Sequence, residues 1–92
     1  METTFIDAQQ MHRNNPRTFA VPSDKELDGI KVGDYVKVAV EGERFWVLVE
    51  GILNDTYTGK VWNDMVLTKE HGLRFKDKVT FERRHIYSIL TT

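Results

Sequence analysis

The sequence predicts a mainly β domain, an SH3-like small antiparallel barrel or half-barrel of about five strands preceded by short helices. Three observations lead there. Apolar and polar residues alternate with a period of two from Asp34 onward. Turn residues interrupt that alternation at short intervals, and the capping box that starts a helix lies within the first 29 residues. The expected organisation is therefore a helical N-terminal extension over 1–29, packed on a β-barrel domain over 30–92.

Phe5, Ala8 and Met11 or His12 share a helical face after Thr4, which is placed to cap it, with Asp7 in the first turn. Asn14-Asn15-Pro16 ends that helix, because proline disfavours helical backbone in the residue before it. Ser23-Asp24-Lys25-Glu26 is a capping box, and Gly29 closes the short helix it starts. Val36, Val38 and Val40 then face one way, with Tyr35, Lys37 and Glu41 opposite. Gly42 makes the hairpin into Arg44–Leu53, which is apolar on both faces: Phe45, Val47 and Val49 against Trp46, Leu48 and Ile52. Such a strand is central, or it bends between two sheets, and Gly51 marks a bend or bulge. Asn54-Asp55 turns the chain into a third strand, Thr56–Trp62. A capped helical turn is expected from Met65 to His71, a fourth strand at Lys78–Arg83 and a fifth at Ile86–Leu90.

One pattern occurs twice. Ile30-Lys31-Val32-Gly33-Asp34-Tyr35-Val36-Lys37-Val38 and Leu73-Arg74-Phe75-Lys76-Asp77-Lys78-Val79-Thr80-Phe81 share apolar, basic, apolar, any, Asp, any, Val, any, apolar. Each aspartate sits in the turn feeding a strand, where its carboxylate can accept nearby N–H groups. Two similar turns entering two similar strands is the reading adopted here.

The segment Glu43-Arg44-Phe45-Trp46-Val47-Leu48-Val49 resembles the signature strand of the bacterial YegJ-like family, a domain of unknown function. The likeness continues through Thr58-Gly59-Lys60-Val61-Trp62-Asn63-Asp64, Val79-Thr80-Phe81 and His85-Ile86, across roughly residues 30–90. Those proteins often follow the Asn and acidic pair with proline, where this chain has Met65. The resemblance implies a small β domain and brings no catalytic residues with it.

The 92 residues allow one core. Hydrophobic residues at 40% and charged residues at 29% make an ordinary globular composition. Without cysteine there is no disulfide or thiolate chemistry, and without a basic, apolar leader or a long apolar run the expected compartment is the cytoplasm. The net charge of −1 conceals an acidic 1–59 and a basic 60–92. His12, His71 and His85 show no metal-binding or catalytic spacing and read as exposed, solvated side chains. Ser23 and Ser88 lack a nucleophile context, and the six glycines form no phosphate loop. The expectation is a non-enzyme with no catalytic, cofactor or metal residues.

Function therefore rests on surface chemistry. Trp46 and Trp62 fall opposite the valines, together with Tyr35 and Lys60, and the N-terminal helices are expected to cover them. Left open, that face would be a partner surface, for which the candidates are Trp46, Trp62, Tyr57, Arg44, Lys60 and Arg84. The leading expectation is a small binding module that recognises a protein partner. A nucleic-acid-binding barrel is the alternative, supported by Arg83-Arg84-His85 with Lys60, Arg74, Lys76 and Lys78. A small-ligand binder or enzyme of unknown class is the third.

Overall fold

The computed structural model describes residues 4–17, 20–40, 42–63 and 72–91. Five strands form one antiparallel sheet in the order β4-β3-β2-β1-β5: β1 Tyr35–Val40, β2 Glu43–Leu53, β3 Thr56–Val61, β4 Lys78–Glu82 and β5 Ser88–Leu90. Two helices precede it, α1 Ala8–Asn14 and α2 Asp24–Asp28. A 3-10 turn, Arg83–His85, joins β4 to β5. The helical turn expected at Met65 to His71 lies outside the described residues.

The sheet is not closed. Its two end strands, β4 and β5, do not pair with each other among the described residues. The N-terminal segment fills the gap instead. Where β5 stops pairing along β1, the Ile6 N–H donates to the Ala39 carbonyl at 2.8 Å, and Phe5 enters the core. Phe5 lies 6.2 Å from Phe45, 6.0 Å from Phe81 and 5.6 Å from His85, ring centre to ring centre.

The expected alternation holds in β1 and β2. Val36, Val38, Phe45, Val47 and Val49 are all fully buried, joined by Val61, Val79, Phe81 and Ile86. Leu27 of α2 and Ile30 belong to the same cluster. Leu27 thus sets α2 on the valine face, and Arg84 ties Asp7, the cap of α1, to the 3-10 turn. The reason is physical: an open, curved sheet exposes its apolar concave side, and Phe5, Leu27 and Ile30 are the residues available to keep water from it.

Local details follow the residues. Ser23 and Glu26 form both bonds of the capping box, at 3.2 and 3.1 Å. The cap of α1 is Asp7, whose carboxylate accepts the Gln10 N–H at 2.9 Å; the helix starts later than a Thr4 cap would place it. The β2–β3 register slips between Val49 and Gly51, leaving Glu50 as the extra residue of a bulge at the place where a bend or bulge was expected.

The repeated pattern builds the same turn twice. Lys31 N–H donates to Asp34 Oδ2 and Arg74 N–H to Asp77 Oδ2, both at 2.9 Å. Gly33 N–H then donates to the Val49 carbonyl, and Lys76 N–H to the Val61 carbonyl. Both positions take positive φ, +100° and +73°. Lysine therefore adopts in the second turn a backbone conformation that glycine adopts more readily in the first.

Candidate binding surface

Alternation in the pleat sends every second side chain of β1–β4 to the face turned away from the core. Cross-strand pairing sets Lys37 beside Trp46, and Tyr35, Leu48, Lys60 and Lys78 in one row. Lys37 Nζ lies 5.2 Å from the Trp46 ring centre. Trp62 N–H donates to the Trp46 carbonyl at 2.8 Å, which carries the β2–β3 ladder one residue beyond β3. Trp46 N–H in turn donates to Asn63 Oδ1. These bonds fix the backbone beneath both indoles.

Trp62 is 36% exposed and packs on Phe75, itself 42% exposed, with ring centres 5.2 Å apart. Lys76 Nζ lies 5.5 Å from the Phe75 ring centre. Lys60 reaches Glu50 at 3.5 Å, and the Arg44 guanidinium sits 5.2 Å from the Tyr87 ring centre. Aromatic rings and cations are thus interleaved across one side of the sheet.

Of the six candidate residues, the structure brings Trp46, Trp62, Lys60 and Arg44 to this face. Two do not belong. Tyr57 points inward, 3% exposed and stacked on Phe81 at 5.7 Å, because its partner in the register is the core residue Phe81. Arg84 lies on the helix side, bonded to Asp7 at 3.1 Å and Glu82 at 2.8 Å. Its neighbour Arg83 holds Asp28 at 2.7 Å and Asp24 at 3.3 Å. The two arginines tie α1 and α2 to the 3-10 turn; they are not an open basic patch.

Phe75 and Lys37 are functional candidates that composition and periodicity passed over. The signal for Phe75 was the repeated turn. It occupies the place that Val32 holds in the first copy, and Val32 is 62% exposed.

His85 corrects a second expectation, for it is buried, not solvated. Its Nδ1 accepts the Glu82 N–H at 2.9 Å, which requires a neutral ring with the proton on Nε2. Burial lowers its pKa below the usual histidine value; Arg84 pushes the same way, against Glu82 and Asp7. At Asp7 burial opposes ionisation, yet the Gln10 N–H and Arg84 outweigh it and hold the carboxyl below its ordinary range. His12 is half-buried at the end of α1, and His71 lies outside the described residues. No group of three metal-ligating side chains occurs among the described residues.

The His85 arrangement gives a pH dependence of known sign. The unfolded chain takes a proton on this ring near pH ~6.5, while the folded chain resists it to lower pH. Stability from His85 is complete above about 6.5 and is lost as pH falls below that value. Melting temperature should therefore fall between pH ~7 and ~5.5 more steeply in the native chain than in His85→Asn, which keeps an acceptor but cannot charge. Equal slopes would show that His85 is not held neutral. Asp7, whose pKa is also lowered in the fold, acts in the same sense, but its contribution is lost only nearer its own range, below about 4.

No helix among the described residues is long and apolar enough to cross a membrane. No family model, curated protein or solved structure matches the chain.

Proposed function

We infer that this chain is a non-catalytic binding module, an SH3-like half-barrel whose outer sheet face recognises an acidic segment of a protein partner. The strand order, the bulged bend of β2 and the 3-10 turn between β4 and β5 support the SH3-like reading. One observation carries the binding reading. The outer face sets Trp46, Trp62 and Phe75 among Lys37, Lys60 and Lys76, and Trp62 and Phe75 are exposed there.

Large aromatic rings supply desolvated area at low entropic cost, and flanking lysines favour a partner of opposite charge. The opposite side of the molecule is where acids gather: Asp7, Asp24, Asp28 and Glu82 around Arg83 and Arg84. Net charge near zero therefore conceals a cationic, aromatic face.

The same face favours one second reading. Aromatic rings beside lysines also suit single-stranded nucleic acid, where bases stack and phosphates pair with cations. Titration of intrinsic tryptophan fluorescence with Asp/Glu-rich peptides and with oligo-dT and oligo-U, at low and moderate salt, separates the two. Trp62→Ala should leave the fold intact and weaken peptide binding by about tenfold, roughly 1.4 kcal/mol. Binding of the oligonucleotides alone would transfer the function to nucleic acid. Indifference to both probes, or Trp62→Ala unfolding the domain, would end the assignment of this face.

A further inference from the structure

The other unpaired feature of the fold is an edge. Among the described residues β4 ends the sheet, and its register with β3 fixes which backbone groups it uses internally. Arg83 N–H donates to the Asp55 carbonyl and Val61 N–H to the Asp77 carbonyl. In an antiparallel ladder hydrogen-bonded positions alternate, so the odd-numbered residues of β4 bond to β3. The backbone groups of Lys78, Thr80 and Glu82 point away from the sheet. An open cleft of about 620 Å³ runs along this edge, with Thr4, Phe5, Val79, Phe81 and His85 among its lining residues.

Edges of this kind pair with other strands unless something prevents it. β4 contains no proline and its register with β3 carries no bulge. Its sequence, Lys78-Val79-Thr80-Phe81-Glu82, is self-complementary when paired antiparallel about Thr80. Thr80 then faces Thr80 of the second copy, Lys78 faces Glu82, and Val79 faces Phe81. Opposite charges and paired threonines in directly opposed positions are both favourable. The edge at β5 is only three residues long, a poorer template.

We propose that β4 pairs with the β4 edge of a second copy of this chain across a two-fold axis, joining the two sheets into one. A two-fold axis at Thr80 makes the contact isologous, so the assembly closes at two copies. His85 sets its length. By holding the Glu82 N–H through Nδ1, it takes that donor out of the edge and ends the ladder there. The intermolecular bonds are then Lys78 N–H to the Glu82 carbonyl of the other copy and Thr80 N–H to its Thr80 carbonyl, each made twice.

The contact is read by sedimentation equilibrium on the full chain. The native chain should show concentration-dependent dimers. Lys78→Glu and Glu82→Lys should each weaken association by about tenfold or more, because each sets like charges opposite one another twice, and the double exchange should restore it. Thr80→Pro removes an N–H that the sheet itself does not use, so it should stay folded and become monomeric.

A cross-link gives an independent reading, since the chain has no cysteine of its own. Opposed Cα atoms in a hydrogen-bonded pair lie about 5.5 Å apart, within disulfide range. Thr80→Cys should therefore oxidise to a covalent dimer much faster than Thr58→Cys, one strand further in. A native chain that stays monomeric up to its solubility limit overturns the proposal. So does equal cross-linking at the two positions, or an edge that pairs with other extended peptides but not with itself.

Discussion

Phe45→Ala should lose about 3–5 kcal/mol of stability, the range for truncating a fully buried aromatic ring. A domain of this size has about 5–15 kcal/mol in total, so the variant will be marginal at physiological temperature. The site explains the size of the effect. Phe45 packs against Phe5, which lies across the open mouth of the sheet, so removal leaves a cavity and loosens the N-terminal segment with it. Leu48→Ala, on the half-buried outer side of the same strand, should cost clearly less. Chemical denaturation of both variants checks the ordering. Leu48→Ala costing as much as Phe45→Ala would mean that the inward and outward faces of β2 have been exchanged.

Much of this architecture is written locally. Period-two alternation places Val36, Val38, Phe45, Val47 and Val49 inside without knowledge of any partner strand. Ser23 and Glu26 are three residues apart, and Gly51 stands beside the bulge it marks. The two aspartate turns repeat visibly because every bond within each turn spans three residues. What the sequence hides is long-range. Arg84 and Asp7 are separated by 77 positions, and Arg83 and Asp24 by 59. No periodicity connects them, so basic 60–92 looked like an open patch, when two of its arginines are committed to acids from the first third of the chain.

Tyr57 shows a different limit. The period of its strand sets it with Gly59 and Val61, opposite Thr58, Lys60 and Trp62, so counting it with the outward residues conflicts with its own alternation. The register agrees with that alternation, setting Tyr57 opposite Phe81 and stacking the rings. The candidate face was legible where strong alternation fixed it, at Trp46, and by continuation at Lys60 and Trp62. That α2 lies on the valines depends on the sheet staying open, which is a property of the assembled fold.

The second large effect belongs to Gly59, at the centre of that same strand. Gly59 lies between Val49 of β2 and Val79 of β4 and is buried. A Cβ built there would overlap the Leu48 carbonyl oxygen and crowd Val47 Cγ1. The oxygen is backbone, and its strand is held on the other side by β1, so relief requires β2 and β3 to separate. Gly59→Ala should therefore cost about 3 kcal/mol, at the upper end for overpacking by one methyl group. For a domain of this length that is a melting-temperature loss of about 12–24 °C. Gly51→Ala is the control, because its Cβ would meet only Thr58 Oγ1, a side-chain atom, at 2.7 Å, and the hydroxyl can rotate away. The methyl group at 59 would also spread the pair of strands that positions Trp46, Lys60 and Trp62. Any Gly59→Ala protein that remains folded should thus bind its ligand more weakly on the outer face, unlike Gly51→Ala. Equal melting temperatures for the two variants would show that β2 and β3 do not approach so closely at this point.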